Sequence, residues 1–390
     1  MDRTKWVCRK FKEVSTDIGG STPKTDKSEY WGGSHYWVTP AELDGSKYIS
    51  KTERSLTDKA VSETNLTLLP TGTVLLSSRA PIGKVCITQS PMYCNQGFKN
   101  IVCSDLLYNE FVYYYLLHNV DYLQSLGTGA TFKEISKKVV ENVEIIVPSL
   151  SDQHTIVAEL DKLNDVIALK RKQLADLDSL AQSLFCEMFG DPVVNEKGWE
   201  VKKLNEVSES ITDGDHMPPP KSESGIPFLT ISDINKETRE LDFSNTFFVP
   251  REYYDGLKEE RKARINDLLY TVTGSYGIPV IVKTDKQFCF QRHIALIRPR
   301  QEILTTTFLC FWALCPSVKR EADRVATGIA QKTVGLNSIR QFDIILPPLP
   351  LQQSFAEKIA KIEAEKQRVK SSLKDLETLL ASRMQFWFDN

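Results

Sequence analysis

Two long stretches of the chain carry apolar residues at alternating spacings of four and three. Each runs for about 40 residues without an internal proline or glycine. A heptad pattern of this length predicts a long helix whose apolar seam packs against another helix. The seam residues are Ile156, Leu160, Leu163, Ile167, Leu174, Leu177 and Leu184 in the first stretch, and Phe355, Ile359, Ile362, Val369, Leu373, Leu376 and Leu380 in the second.

Pairing of the two helices has one alternative, a single long core helix in each domain. At ~1.5 Å rise per residue each helix would be about 60 Å long. A small domain would not cover that length, so the pattern favours an antiparallel pair related by a pseudo-twofold axis. The polar seam positions Lys170, Lys366 and Arg383 either fix the register of this pair or extend their charged ends into solvent.

The helical stretches end two similar halves of the chain. Residues 6–15 align with residues 199–208, and residues 145–148 align with residues 344–347. The offset between matching residues drifts from 193 to 199, as small loop insertions would produce. A unit of about 195 residues therefore occurs twice.

The part of each half before its helix is rich in short β-type runs. Examples are residues 73–77, 84–88 and 143–147, with one helical stretch at residues 106–123. The predicted fold class is α+β, with two β-rich lobes in tandem repeat separated by two long antiparallel helices that form a coiled coil. The predicted domains are a first lobe at 1–147, a linker and helix at 148–196, a second lobe at 197–348 and a helix at 349–390.

Charge and composition narrow the class of protein. The chain has 49 basic and 51 acidic side chains, which argues against a free-standing basic nucleic-acid binder. The excess of acid lies in residues 148–196, and each lobe alone has a net charge of +1. There is no secretory signal or membrane-spanning run, and the eight cysteines are interpreted as buried thiols of a reducing compartment. We therefore expect a cytoplasmic protein with no membrane partner.

Motifs for catalysis are missing from the sequence. It contains no phosphate-binding loop and no G-x-S-x-G elbow, and its five histidines are scattered without the spacing of a metal site. The pattern favours a chain that binds without catalysing. Two alternative functions stay open. The chain could be a scaffold for protein or glycan partners, or an enzyme with an unrecognised site.

Polar and basic side chains gather in the predicted turns of both lobes. Arg, Lys and Gln can pair with base edges, and hydroxyl groups can pair with bases or phosphates. The alternative for each is an ordinary turn or solvated residue. The candidates for DNA contact are Ser77, Ser78, Arg79, Lys84, Gln96, Thr128, Thr131 and Lys133 in the first lobe, and Thr273, Ser275, Tyr276, Gln291, Arg292 and Lys332 in the second.

The same short pattern, I-I-[VL]-P-x-L-x-x-Q, occurs at residues 145–153 and 344–352, where each long helix begins. Together with the twofold repeat and the heptad helices, it makes the chain resemble the specificity subunit of type I restriction-modification systems. The resemblance covers essentially the whole sequence. The lobes carry no motif that identifies a DNA sequence.

The resemblance implies a non-catalytic subunit that recognises double-stranded DNA. Each lobe would be a target-recognition domain reading one half of a bipartite, asymmetric target. The paired helices would set the spacer between the halves and dock two adenine-methylating modification subunits, and restriction subunits that translocate DNA would join for cleavage. This chain would hold no metal or cofactor, since S-adenosylmethionine, ATP and magnesium would belong to its partners.

Overall fold

The computed structural model describes residues 3–129, 133–216, 218–328 and 331–389. The chain forms two compact units. One contains the residues up to Arg171 and those from Ser372 onward, and the other is Lys172–Ser371. Each unit therefore holds one lobe and parts of both long helices.

The first lobe and the helix that follows it contain short strands and helices in alternation. The strands are β1 (Val7–Lys10), β2 (Ser15–Gly19), β3 (Trp31–Val38), β4 (Tyr48–Ile49), β5 (Arg54–Leu56), β6 (Val74–Ser78), β7 (Ile82–Thr88), β8 (Tyr93–Cys94), β9 (Phe98–Cys103) and β10 (Glu144–Val147). The helices are α1 (Phe11–Val14), α2 (Asp58–Glu63), α3 (Asn109–His118), α4 (Val120–Ser125), α5 (Lys137–Glu141) and the long α6 (Leu150–Phe189).

The second lobe repeats this order with fewer elements. Its strands are β11 (Glu200–Lys203), β12 (Ser208–Asp213), β13 (Ile226–Leu229), β14 (Phe247–Val249), β15 (Leu268–Thr271), β16 (Pro279–Ile281), β17 (Cys289–Phe290), β18 (Ile294–Pro299) and β19 (Asp343–Leu346). Its helices are α7 (Arg251–Asp255), α8 (Thr306–Leu314), α9 (Pro316–Val325), α10 (Leu336–Arg340) and the long α11 (Leu349–Phe388).

Sheet pairing follows the same plan in both lobes. The main sheet has the order β2-β9-β6-β7-β4 in the first lobe and β12-β18-β15-β16 in the second. A three-stranded sheet, β5-β3-β8 or β14-β13-β17, and a two-stranded ribbon, β1-β10 or β11-β19, complete each lobe. The internal repeat and the α+β class predicted from the sequence are therefore confirmed.

The sequence predicted the individual elements with small errors at their ends. The three β-type runs correspond to β6, β7 and β10, each within a few residues. The helical stretch at 106–123 is two helices, α3 and α4, which meet at Asn119. Asn119 has a backbone conformation outside the helical region (φ −97°, ψ 21°), and this interrupts the helix.

Both long helices end inside a lobe core. In the second unit Phe185 and Phe189 of α6 pack with Phe355 of α11 and with Phe308 of α8, at ring-centre distances of 4.9 to 5.6 Å. In the first unit Phe388 of α11 lies 5.3 Å from the ring of Phe111 of α3. In each unit the start of one long helix meets the end of the other, so the helices run antiparallel there.

The buried residues of the predicted seam all lie in roughly the first half of each helix, up to Ile167 and Val369, and the seam residues of the second halves are half-buried. Half-burial is what a pair of helices gives, because only one side of each helix is covered. The two alternatives drawn from the sequence thus both hold in part, since each helix belongs to a pair and also to a core. Ile156, Leu160, Ile167, Phe355, Ile359 and Val369 are buried, whereas Leu163, Leu174, Leu177, Leu184, Ile362, Leu373, Leu376 and Leu380 are half-buried.

Two of the polar seam positions form ion pairs between the helices. The Lys366 ammonium lies 2.8 Å from Asp178 and 2.9 Å from Glu363, and only 6% of the residue is exposed. Burial acts to lower the pKa of Lys366, but the hydrogen bonds to Asp178 and Glu363 raise it above its usual value. The Arg383 guanidinium donates to Glu159 at 3.0 Å. These pairs favour the register role over extension into solvent.

A buried glutamine explains the repeated motif at the start of each long helix. The amide of Gln153 donates to the carbonyls of Leu106 and Pro148 at 2.9 and 3.0 Å, and its oxygen accepts from the Tyr108 backbone at 2.7 Å. Gln352 repeats these bonds with Ile303, Pro347 and Thr305. Both residues are fully buried, so each side chain joins a helix start to a lobe loop.

We expect replacement of this glutamine by leucine to destabilise the unit that contains it. Gln153→Leu would leave one backbone N–H and two carbonyls buried without partners, which costs about 2 to 4 kcal/mol. Urea unfolding would show the loss. The control, Gln367→Leu, changes an exposed glutamine of α11 and should alter stability by less than about 0.5 kcal/mol. Equal stability of the two variants would contradict this role.

Candidate nucleic-acid interface

The main sheet of the first lobe brings four chain segments to one edge. The end of β2 pairs with the start of β9, through Gly19 and Lys99. The end of β6 pairs with the start of β9 and with the start of β7. The loops at 20–27, 79–81 and 95–97 therefore leave the sheet at a common edge, which we call the loop edge.

A further loop joins this edge just before α5. Thr128 and Glu134 exchange two backbone hydrogen bonds of 2.9 and 3.0 Å, and Glu134 also bridges to Arg79. In the second lobe Thr327 and Thr333 exchange the same bonds, and Thr333 bridges to Thr273. The structure thus gathers Arg79, Thr128 and Lys133, which the sequence singled out separately. Thr131 lies outside the described residues.

Close backbone packing at the loop edge requires glycine at one position of each lobe. A Cβ atom at Gly20 would lie 1.9 Å from the Asn95 carbonyl oxygen, and a Cβ at Gly214 would lie 1.9 Å from the Phe290 oxygen. Neither backbone can move aside without breaking the loop. Both lobes therefore hold the chain after the first sheet strand tightly against the loop before the last one.

Some candidates of the first lobe are exposed on the loop edge. Arg79, Gln96, Thr128 and Lys133 have side chains accessible to solvent. Arg79 lies 4.0 Å from Glu134, a long contact between exposed groups. The oxygen of Gln96 accepts a hydrogen bond from Thr22, which fixes the orientation of its amide.

Other candidates of the first lobe serve the fold. Ser77 and Ser78 are fully buried. The Ser77 hydroxyl donates to the Pro81 carbonyl at 2.7 Å and accepts from the Lys84 backbone at 2.8 Å, and the Lys84 ammonium donates to the carbonyls of Pro40 and Leu43. Thr271 makes the same turn-closing bonds as Ser77, with Ser275 and Ile278. Because their polar atoms are used internally, Ser77, Ser78 and Lys84 are excluded from the proposed contact set.

In the second lobe the exposed candidates are Ser275, Arg292 and Lys332. Tyr276 is held in place, since its hydroxyl donates to Asp323 at 2.7 Å and the Lys319 ammonium lies 3.5 Å from its ring centre. The half-buried Thr273 accepts a hydrogen bond from Thr333. Gln291 is half-buried in the turn that follows β17.

Acidic residues mark the loop edge of the second lobe, and sequence reasoning missed them. Asp213 and Asp215 flank the end of β12, and the Arg261 guanidinium lies 3.7 and 3.4 Å from them. His216 lies 2.8 Å from Asp213. Only the fold brings Arg261 from a distant loop to these carboxylates. The two edges therefore differ in charge as well as in side chains.

Asp17 of β2 is a buried carboxylate beneath α5. Neither of its carboxylate oxygens has a hydrogen-bond partner among the described residues. Burial raises the pKa of Asp17 to about 6, although Lys137 and Lys99 act in the opposite direction. The charged form is therefore unfavourable in the folded lobe.

We predict that Asp17→Asn stabilises the first unit at neutral pH. The folded pKa is about 6 and the unfolded one is about 3.9. The folded state therefore binds the proton more tightly, and this group lowers the free energy of unfolding as pH rises from about 4 to 6. At pH 7.5 the variant should gain about 1 to 3 kcal/mol in urea unfolding.

The gain should shrink toward pH 4.5, where wild-type Asp17 is protonated in the folded state. Asp26→Asn, at an exposed loop position, is the matched control and should show no such dependence. A gain that is equal at both pH values would contradict the buried-charge explanation.

The cysteines and the search for metal ligands add limited information. Cys86, Cys94, Cys289, Cys310 and Cys315 are buried as predicted, and Cys103 is half-buried. Cys8 and Cys186 are exposed, so the prediction was wrong for these two. Within the described ranges, no group of three His, Cys, Asp or Glu residues is arranged to hold a metal ion. No helix in the same ranges is long and apolar enough to cross a membrane.

Comparison with known proteins identifies the family. The model of the type I restriction modification DNA specificity domain matches residues 3–179 and 196–376. The chain is 32% identical over 375 residues to the type I restriction enzyme MjaIX specificity subunit of Methanocaldococcus jannaschii, covering 90% of this chain and 85% of that one. It is 22% identical to the EcoBI specificity subunit of Escherichia coli, covering 70% of this chain and 63% of the other.

Solved structures show the same fold. One, from a study of complex assembly and conformational transition of the type I R-M system, has a TM-score of 0.66 at 19% identity and covers 98% of this chain and 97% of the other. The S subunit of the type I system from M. genitalium has a TM-score of 0.54 at 13% identity and covers 99% and 96%. The family domain matches twice in tandem, once on each of two lobes that share a strand order. The chain therefore belongs to the family of type I restriction-modification specificity subunits.

Proposed function

We propose that this chain is the DNA-reading, non-catalytic subunit of a type I restriction-modification complex acting in the cytoplasm. The observation that carries the proposal is the loop edge, which recurs in both lobes. The backbone arrangement is the same in the two lobes, but the side chains on it differ. Each lobe would read half of a bipartite duplex target, with Arg79, Gln96 and Lys133 in the first lobe. Arg292 and Lys332 would act in the second. Arg and Gln offer the paired donors and acceptors that base edges require.

The difference between the two edges supports an asymmetric target. The first lobe presents Arg79 and Lys133, whereas Asp213 and Asp215 stand at the equivalent edge of the second. The exposed Arg and Lys of the first edge can donate to guanine, whereas Asp213 and Asp215 are only 14 and 13% exposed and hold Arg261 at the second edge. The two lobes should therefore select dissimilar half-sites.

The long helices would set the spacer and dock the partner subunits. Each has 40 residues, a length of about 60 Å. Leu169, Leu180, Leu379 and Phe386 are 45 to 65% exposed on these helices. Exposed apolar side chains of this kind suit a protein interface. Two modification subunits would bind there, with restriction subunits joining for cleavage, and S-adenosylmethionine, ATP and magnesium would be held by those partners.

The charge of the lobes agrees with dependence on partners. Each lobe has a net charge of only +1, and tight binding to DNA by a lone protein draws on the release of counterions by many cations. This chain would select sequence while its partners supply much of the positive surface.

Methylome sequencing of cells with and without this chain tests the proposal. We expect a modified motif with two different half-sites and an unspecified spacer, present only when the chain and its modification subunits are expressed. A palindromic motif would contradict the asymmetry. No motif at all would favour a protein or glycan scaffold, and methylation or cleavage of DNA by the purified chain alone would favour an enzyme.

Shortening both long helices tests the spacer role. Deleting residues 168–174 and 369–375 removes one heptad from each helix and retains the pairs Asp178–Lys366 and Glu159–Arg383. The pair becomes about 10 Å shorter, equivalent to about three base pairs. The recovered motif should keep its half-sites and lose about three spacer positions. The full-length double variant Lys172→Ala with Gln367→Ala should keep the original spacer, and an unchanged spacer after deletion would contradict the role.

A further inference from the structure

An arginine in the first lobe is stacked on a pair of tryptophans. The guanidinium carbon of Arg54 lies 3.6 Å from the ring centre of Trp31 and 5.0 Å from that of Trp37. The two rings meet edge to face at 4.9 Å. Trp37 is only 2% exposed, so packing in the core fixes the position of its ring. Arg54 itself is exposed on β5.

The tryptophan pair is attached to the loop edge. The indole N–H of Trp37 donates to the Ser21 carbonyl at 3.1 Å, and that of Trp31 donates to the Lys24 carbonyl at 3.3 Å. Ser21 and Lys24 belong to the loop that leaves β2 at this edge, next to the glycine packed on the Asn95 backbone. The stacked Arg54 is therefore continuous with the surface proposed to read DNA.

The donors of this arginine are free of the residues that the structure describes. Across the described residues, the Arg54 side chain makes no ion pair and donates no hydrogen bond. An aromatic stack restricts the rotation of a guanidinium without occupying its N–H groups. Arg54 thus presents a planar, preoriented fork of five donors to solvent.

The second lobe repeats the arrangement with another cation. Trp37 pairs with Arg54 across β3 and β5, and Phe228 pairs with Phe247 at the equivalent register of β13 and β14. The Phe228 and Phe247 rings are stacked at 4.9 Å, and the Lys221 ammonium lies 5.0 Å from the Phe247 ring centre. Lys221 is exposed in the loop that follows β12. Phe247 therefore takes the strand position of Arg54, and the cation over it comes from the loop that precedes β13.

We propose that Arg54 and Lys221 are DNA contacts, each held by its aromatic pair at the margin of the loop edge; this inference rests on the proposed function and adds residues to it. Arg54 would bind two neighbouring acceptors at once. Both guanine O6 with N7 and the oxygens of a backbone phosphate offer such a pair. Lys221 is a single point charge and would bind a phosphate.

The test uses the complex with its modification subunits and a pool of random duplexes. Wild-type protein first yields the target by selection, and its affinity for the recovered duplex is then measured by fluorescence anisotropy. Arg54→Ala should weaken binding by about 5- to 100-fold. Lys51→Ala removes the same charge from an exposed position of the adjoining loop and should change affinity by less than about threefold.

The two sources of the acceptor pair give different results with Arg54→Lys. If Arg54 reads guanine, Arg54→Ala and Arg54→Lys both lose the base preference at one position of the first half-site, because neither side chain has the two parallel donors of a guanidinium. If Arg54 binds phosphate, Arg54→Lys keeps most of the affinity and the selected motif is unchanged. Trp31→Phe should preserve binding better than Trp31→Leu, since only the phenylalanine retains a face for stacking.

Lys221 is tested by the salt dependence of binding. Lys221→Ala should weaken binding to target and unrelated duplexes alike, and should reduce the slope of log K against log salt by about 1. Lys236→Ala, another exposed lysine of the second lobe, should leave the slope unchanged.

Failure of this inference is distinct from failure of the proposed function. If wild-type complex selects no sequence, the proposed function is wrong. If it selects a target and folded Arg54→Ala and Lys221→Ala bind that target as wild type does, with the same motif and salt slope, the stacked cations are not DNA contacts. Thermal unfolding of each variant shows that it is folded.

Discussion

Burial of the long-helix ends in the lobe cores is the constraint on which each unit depends. An isolated lobe is a set of short strands and helices around an incomplete core. Phe185, Phe189 and Phe355 complete that core in the second unit, and Trp387 and Phe388 take part in the first. Because the helix ends belong to the cores, movement of a helix would disturb lobe packing directly. Gln153 and Gln352 add buried hydrogen bonds at the same junctions, where any loss leaves unpaired backbone groups.

This construction separates what is shared from what differs between the lobes. The ribbon, the main sheet, the buried glutamine and the close glycine contact recur in both, because each solves a packing or hydrogen-bonding problem common to the two. Other side chains of the edge loops do not meet those demands, and there the lobes present Arg79 in one case and a pair of aspartates with Arg261 in the other. A scaffold held rigid by its core can therefore carry different recognition surfaces.

The charged residues also differ between the buried helix pair and the loop edges. Buried charges in the helix pair are satisfied, as Lys366 is by Asp178 and Glu363, and they define which residues of the helices face each other. On the loop edge of the first lobe Arg79 and Lys133 are accessible to solvent, and Arg79 is only weakly paired, which leaves both available to a ligand. Asp213 and Asp215 of the second lobe are only 14 and 13% exposed and are paired with Arg261. Asp17 is an exception, being buried without hydrogen-bond partners among the described residues, and its raised pKa records the cost of keeping a charge there.

The sequence by itself determined the repeat, the two long helices, the β-rich character of the lobes with three of their strands, and the family. These properties depend on local periodicity and on motifs that recur along the chain, such as the paired I-I-[VL]-P-x-L-x-x-Q segments. Only the tertiary structure decided which polar residues face solvent. Ser77 looked like a candidate contact because it is a hydroxyl in a turn, yet strand pairing places it in the interior. Arg54 was not identified from the sequence, because only the folded sheet brings it into contact with Trp31 and Trp37. Periodicity fixes the face of a helix or strand, whereas exposure and side-chain partners depend on contacts between segments far apart in the chain.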